Sequence, residues 1–117
     1  MNTQEFMIEV ENSHNRSKRV LLKKQSEYTS GDKDRLEQFY RAGSAQAITP
    51  HSALIGMASK HFTSIADMCK NPNGSNIKQW NEKLTDLRNY TLLLDALVRD
   101  FNERADIVRV LRDGSVE

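Results

Sequence analysis

Apolar residues recur at steps of three and four along much of the chain, the spacing of one face of an α-helix. One run contains Leu54, Met57, Ala58, Ile65 and Met68. The clearest run comprises Ile77, Trp80, Leu84, Leu87, Thr91, Leu94, Val98 and Phe101. These runs predict an all-α fold, a bundle of four or five helices.

Helix-breaking residues divide this pattern into segments. The chain has 2 prolines and 5 glycines, most of them where helices would begin or end. The expected helices run from about Thr3 to Ser26, from Lys33 to Ala42, from Pro50 to a break at residues 70–75, and from there to about Arg112. Their expected caps are Asp32 or Asp34, then Thr49, then Ser75, with Gly114 as the final stop. Alternatively, the residues from 105 onward form a separate short element. The short break predicts that the third and fourth helices pack antiparallel.

The apolar surface of the fourth helix is wider than one face. Leu92, Leu93, Leu97 and Val98 extend it, which calls for a second contact, either within the bundle or with another subunit. Contact with another subunit would make the protein a homo-oligomer, which is the outcome that we expect.

Composition limits the remaining possibilities. A chain of 117 residues predicts one helical domain over 1–117, and a net charge of +1 gives no overall field for nucleic acid or membrane surfaces. The single cysteine, Cys69, excludes an internal disulfide and predicts a buried free thiol in a reducing compartment. Without a signal-like or membrane-spanning stretch, we expect a cytoplasmic protein.

A polar ridge borders the core side of the third helix. Lys60, Ser64 and Asp67 follow i, i+4, i+7, and His61 leans toward the apolar side. A solvated edge beside a core histidine explains this pattern, and the residues alone favour that interpretation. The functional alternative assigns Lys60 to phosphate charge, and His61 and Ser64 to hydrogen bonding with a ligand.

The fourth helix repeats this spacing with Glu82, Asp86 and Asn89, next to Tyr90, and we expect Asn89 and Tyr90 to contact a ligand. Carboxylates one turn apart can share a divalent metal such as Mg²⁺. An exposed face with ordinary ion pairs is the alternative.

Residues 23–35 combine cations, carboxylates and an aromatic ring. Lys24 and Arg35 could contact phosphates and Tyr28 could stack on a base, while Asp32 and Asp34 could hold metal or ribose. A solvated, charge-rich loop is the competing interpretation, because the spacing of an EF-hand and the glycines of a P-loop are both missing.

The strings EYTSGDKDRLEQF, KHFTSIADM and WNEKLTDLRNYTLLLDALV, in this order, resemble a family of small phage and prophage proteins. The family motifs are K-x-x-D-Y, D-R-L-x-N-F, K-H-x-x-S-I-x-D-M and W-x-E-K-I-x-D-x-x-N-Y-L-L-L-L. The matches extend over residues 24–98. More distantly, the arrangement is similar to nucleotide-modification-associated domains and to the all-α NTP pyrophosphatases of the MazG and dimeric dUTPase types. That resemblance implies a helical bundle, usually dimeric or tetrameric, with acidic residues that bind Mg²⁺ around a nucleoside triphosphate.

The chain departs from this superfamily at its acidic positions. Asp86 matches the aspartate of the E-x-x-D helix, but Lys83 stands where the glutamate is expected and Glu82 is one step out of register. The first acidic pair would fall where this chain has Lys60, His61 and Ser64. Because pyrophosphate hydrolysis needs metal, these departures lead to the hypothesis of a protein that binds a nucleotide or nucleotide-derived molecule without cutting it.

Three functions thus remain open. The first is nucleotide binding, in pool or DNA-modification metabolism or to sequester a host nucleotide immune signal. The second is a Mg²⁺-dependent NTP pyrophosphatase that uses Glu82, Asp86, Asp32 and Asp34. The third is an interaction protein that docks on a host protein through the surface around Leu92 to Val98.

Overall fold

Four α-helices form the part of the chain that the structure describes. The structure, a computed structural model, describes residues 1–29 and 34–114, with side chains given outside residues 25–29. Helices α1 (Thr3–Thr29), α2 (Glu37–Gln46), α3 (Pro50–Lys70) and α4 (Ile77–Asp113) follow one another, with a 3₁₀ turn at Pro72–Gly74 before α4. The all-α prediction is confirmed for these residues.

Side-chain caps determine where three of the helices begin. Asn2 and Glu5 each accept a hydrogen bond from the other's backbone N–H at the start of α1. Thr49 caps α3 as expected: its Oγ1 accepts from the Ser52 N–H at 3.1 Å, and Pro50 occupies the first turn. The cap of α4 is Asn76, in a capping box with Gln79. The prediction of Ser75 as this cap is wrong. Asn76 has the extended backbone of a cap residue, and its amide oxygen accepts from the N–H of the third helical residue.

Helix α2 begins four residues later than predicted. The Asp34 carboxylate accepts from the Leu36 N–H at 2.8 Å, which holds these residues in a turn ahead of the helix. At the other end, Ala47 adopts φ 57° and closes α2 with left-handed backbone. Asp32, the other predicted cap, lies outside the described residues.

Helices α3 and α4 run antiparallel, as predicted from the short break between them. His51 contacts Phe101 at one end and His61 contacts Tyr90 in the middle. Near the turn, the Trp80 indole N–H donates to the Pro72 carbonyl at 3.3 Å. Residue numbers thus rise along one helix as they fall along the other.

The core is small and lies among α2, α3 and α4. Its centre is Phe39, Leu54 and Leu97, each at most 1% exposed. The surrounding partly buried side chains are Leu36, Tyr40, Met57, Tyr90, Leu93 and Leu94. Helix α1 lies outside this cluster and packs against α4 alone among the described helices.

Most residues of the apolar stripe predicted for α4 are exposed and not buried in the single chain. Ile77, Leu84, Val98 and Phe101 are all exposed, whereas the buried positions of the helix are Thr85, Asn89 and Leu97. The buried positions differ from the apolar spacing because the face of α4 that packs against α1 carries polar residues. Cys69, expected to be buried, is exposed as well, because it follows the last core-facing turn of α3.

No helix within the described residues is long and apolar enough to cross a membrane.

Candidate functional site

Helix α1 is attached to α4 through a buried polar contact. Ser17 is 1% exposed, and its Oγ accepts a hydrogen bond of 2.6 Å from the Nε–H of Arg88. The Ser17 carbonyl accepts from the Asn89 amide at 3.3 Å. Arg88 also donates to the Thr85 hydroxyl at 3.1 Å. These directed bonds set the position of α1 more strictly than apolar packing alone would.

The Asn89 side chain has one half of its amide satisfied and the other half unpaired. Its nitrogen must face the Ser17 carbonyl, because an amide oxygen there would meet another acceptor. Its oxygen is buried and has no hydrogen-bond partner among the described residues. Since an unpaired buried acceptor costs about 1–3 kcal/mol, its position favours a donor group supplied from beyond the described residues.

A cavity of about 180 Å³ lies beside this amide; we call it the Asn89 cavity. Its polar lining residues are Lys24, Arg35, Gln38, Asp86, Asn89 and Tyr90. Leu21, Phe39 and Leu93 supply the apolar remainder. The cavity therefore offers two cations, two side-chain amides, a carboxylate and a phenol beside apolar side chains, groups that can pair and hydrogen-bond with a polar ligand.

Asp86 connects three helices at the edge of this cavity. Its Oδ1 lies 3.6 Å from the Lys24 ammonium of α1, and its Oδ2 lies 3.8 Å from Nδ1 of His61 on α3. The Asp86 side chain is 27% exposed, so these contacts are partly shielded from solvent. The carboxylate thereby helps to position both a lysine and a histidine around the cavity.

His61 stands between this carboxylate and the ring of Tyr90, whose centroid is 5.3 Å away. Burial lowers the pKa of His61 below its usual value of 6.5; Asp86 opposes this shift, and the Lys60, Lys83 and Lys24 charges add to it. The imidazole is therefore mainly neutral at pH 7. In that form it can both donate and accept a hydrogen bond.

A second cavity, of about 400 Å³, adjoins the same carboxylate, and we call it the Arg16 cavity. It is lined from α1 by Arg16, Arg19 and Val20, and from α4 by Asn81, Glu82, Thr85 and Asp86. Burial lowers the pKa of Arg88, which lies behind this surface, and the nearby Arg16 charge adds to the effect. Asp86 thus lies at the boundary between a larger charged cavity and the smaller Asn89 cavity.

The structure brings together most of the residues predicted to bind a ligand. Lys24, Arg35, Asn89 and Tyr90 line the Asn89 cavity, and His61 contacts two of its lining residues. The ridge on α3 is not part of that lining: Lys60 is exposed and Ser64 is half-buried. The Tyr28 side chain, predicted to stack on a base, lies outside the described residues.

The carboxylates predicted to hold Mg²⁺ do not form a matching set. Glu82 is exposed, and Asp86 already has a lysine and a histidine beside it. Asp34 accepts from Arg104 at 3.0 Å, while Asp32 lies outside the described residues. Within the described ranges, no three His, Cys, Asp or Glu side chains are grouped so that they could hold a metal ion. Glu82, Asp86 and Asp34 therefore do not by themselves supply the ligand set that the resemblance implies.

Sequence reasoning missed the residues that build the contact between α1 and α4. Arg16, Ser17, Thr85 and Arg88 were not among the residues singled out from the sequence. A signal was present: Val10, Ser13, Ser17 and Val20 continue one helical face at steps of three and four. Small hydroxyl residues can extend a buried face where the neighbouring helix supplies hydrogen-bonding partners.

No protein-family model matches the chain, and no curated protein or solved structure is significantly similar to it. The resemblance carried by the sequence motifs therefore stays a prediction. The structural features that bear on function are the two cavities and the Asn89 oxygen that the described residues leave unpaired.

Proposed function

We propose that the chain binds a nucleotide or nucleotide-derived small molecule, with one part of the ligand in the Asn89 cavity. The observation that carries this proposal is the buried Asn89 oxygen, an acceptor without a protein donor among the described residues, in the lining of a cavity. A base N–H or a ribose hydroxyl is a donor of the kind it requires. Lys24 and Arg35 in the same lining suit the negative charge of a phosphate.

The sizes of the two cavities support a ligand larger than a single ring. The Asn89 cavity has about 180 Å³, less than the roughly 300–1,000 Å³ typical of sites for drug-sized ligands. The Arg16 cavity has about 400 Å³ and shares Asp86 with it. A nucleotide placed across Asp86 would set its donor-bearing part at Asn89 and extend toward Arg16 and Arg19.

Binding without hydrolysis is the form of this proposal that the side chains support best. The Lys24 ammonium and the His61 ring occupy the neighbourhood of Asp86 that a metal ion would need. Two cations and a neutral imidazole can hold an anionic ligand but cannot by themselves replace a metal at a pyrophosphate bond. We thus propose that the chain shares its ancestry and ligand class with the all-α NTP pyrophosphatases. The bound ligand would then be sequestered or passed to nucleotide metabolism.

A thermal-shift panel of linear, cyclic and ADP-ribose-type nucleotides tests this proposal. We expect at least one ligand to raise the melting temperature of the parent protein, because it binds only the folded chain. Lys24→Gln should reduce that shift markedly. Lys18→Gln, an exposed change on the same helix, should leave it intact.

The two alternative functions predict different outcomes with the same nucleotide panel, when pyrophosphate release is measured beside the melting temperature. Pyrophosphate release from any nucleotide in the presence of Mg²⁺, abolished by Asp86→Ala, would favour the enzyme. An unchanged melting temperature across the whole panel would contradict nucleotide binding. It would leave the surface at Leu92 and Val98, which are 45% and 42% exposed, as the better candidate for function.

A further inference from the structure

The second half of α4 carries an apolar groove that no other described helix covers. The groove, here the α4 groove, has a volume of about 320 Å³ and a surface formed mostly by apolar atoms. Phe101, Ala105 and Val108 line it, together with the arginines at positions 104, 109 and 112. Every residue of the structure from 101 to 114 is exposed. A surface of this kind on a helix marks an interaction site.

The Tyr40 side chain closes one side of the groove and is held firmly in place. Its hydroxyl donates to the Asp100 carboxylate at 2.7 Å, and the Arg104 guanidinium lies 3.9 Å from its ring centroid. Arg104 in turn donates to Asp100 at 2.8 Å and to Asp34 at 3.0 Å. Among the described residues, Arg109 and Arg112 have only exposed contacts, with neighbours on their own helix, at 3.2 and 3.3 Å. Such contacts are weak and can be exchanged for others.

The same chain contains a segment with the complementary chemistry. Residues 3–11, here the N-terminal segment, are the first turns of α1, and all of them except Val10 are exposed. Phe6, Met7 and Ile8 are each 55–57% exposed. The segment carries Glu5, Glu9 and Glu11 and contains no lysine or arginine. It is therefore an acidic helix with unburied apolar side chains, opposite in charge to the arginines of the groove.

The two elements are similar in length. Nine helical residues span about 14 Å, and the twelve residues of α4 from Phe101 to Arg112 span about 18 Å. The radius of gyration of 18.0 Å exceeds the value of about 13 Å expected for a compact domain of this length. Both ends of the molecule therefore extend beyond the core and are available to a partner.

We infer that the α4 groove binds the N-terminal segment of a second copy of this chain. If each copy supplies both elements, the exchange closes a two-fold dimer in which two equivalent contacts form. Helical spacing puts Phe6 and Met7 on adjoining faces, with Glu9 and Glu11 at the two edges of the surface they form. Burial of Phe6 and Met7 against Phe101 and Val108 holds the contact together, and Glu9 and Glu11 face the groove arginines. The inference does not depend on the identity of any small-molecule ligand.

Light scattering coupled to size-exclusion chromatography across a concentration series tests the exchange. We expect a dimer mass for the parent chain and a monomer mass for Phe6→Glu and for Val108→Glu. Phe62→Glu is the matched control, because Phe62 is 64% exposed on α3, away from both surfaces, and should remain dimeric. Circular dichroism of each variant establishes that the helices are retained.

A charge-reversal pair identifies which surfaces meet. One variant carries Glu9→Lys with Glu11→Lys, and the other carries Arg109→Glu with Arg112→Glu. Each should be monomeric alone, because like charges then face each other across both contacts. Mixed, they should form a heterodimer, in which every contact again joins opposite charges. A parent chain that stays monomeric, or a dimer that these changes leave intact, would overturn the inference.

Discussion

At the scale of single residues, two side chains decide how the Asn89 cavity can work. Asn89 presents an acceptor that the described residues leave unpaired, and Asp86 holds Lys24 and His61 near the same space. A ligand that supplies a donor to Asn89 removes the cost of the unpaired acceptor. A donor bound at this oxygen would therefore raise the free energy of unfolding.

The neutral state of His61 leads to a prediction about pH. Its pKa is lower in the folded chain than the usual 6.5, so the unfolded chain takes up the proton first as the pH falls. The stabilising contribution of the neutral imidazole is complete above the unfolded pKa. It decreases as the pH falls through 6.5 toward the lower folded value. We expect the free energy of unfolding, measured by urea titration, to decline over this window, and the decline to be smaller in His61→Gln.

His14→Gln is the control for this experiment, because His14 is exposed on α1. The control should follow the parent protein across the same pH window. A His61→Gln curve that keeps the full decline of the parent would assign the pH dependence to other groups.

At the scale of helices and turns, the connection between α2 and α3 leaves no room for a side chain at Gly43. A Cβ atom there would lie 2.8 Å from the Ile48 carbonyl oxygen and 2.9 Å from the Pro50 nitrogen, both backbone atoms. The Ile48 N–H also donates to the Gly43 carbonyl at 2.9 Å. The glycine thus permits the close approach that begins α3 directly after α2.

Two glycine-to-alanine changes separate this effect from helix propensity. Gly43→Ala should lower the free energy of unfolding by about 1–3 kcal/mol, because backbone has to shift. Gly56→Ala should raise it by about 0.5–1 kcal/mol, because alanine favours the helix and nothing lies within 4 Å of the added atom. Chemical denaturation of both variants gives the comparison. Stabilisation by Gly43→Ala would contradict the close approach.

Helix existence could be predicted from sequence where the apolar spacing was regular and the caps were specific, as at Thr49 and Pro50. The start of α2 could not be predicted in the same way, because the Asp34 carboxylate accepts from the Leu36 N–H in a turn and does not cap the helix directly. The face of α4 was assigned wrongly because its buried stripe includes Thr85 and Asn89. Apolar periodicity does not register a contact whose partners are a serine hydroxyl and a backbone carbonyl.

The candidate site was predictable in its residue types but not in its arrangement. Lys24, Arg35, Asn89 and Tyr90 were singled out as groups suited to a nucleotide, and the fold places all four on one cavity. Lys60 was chosen with them, yet it is exposed and outside the lining, because the side of α3 that meets α4 is the side of His61. A helical ridge indicates which residues share a face, but only packing determines which face meets another helix.

At the scale of the whole molecule, the chain is long and incompletely covered. Its principal extents are 59 × 34 × 28 Å, and α4, with 37 residues, spans about 56 Å of the longest. A small core at the centre leaves apolar side chains exposed at both ends. These exposed side chains are the basis of the proposed contact between copies, whereas the Asn89 cavity lies within one chain beside the contact of α1 with α4.

Native mass spectrometry of the protein incubated with a mixture of nucleotides tests the central claim, ligand binding at the Asn89 cavity, most directly. The expected spectrum of the parent contains a complex whose added mass identifies one nucleotide or nucleotide derivative. Lys18→Gln should give the same complex, and Lys24→Gln should give much less of it. A spectrum with no added mass, or the same complex in equal amount for both variants, would contradict nucleotide binding at this cavity.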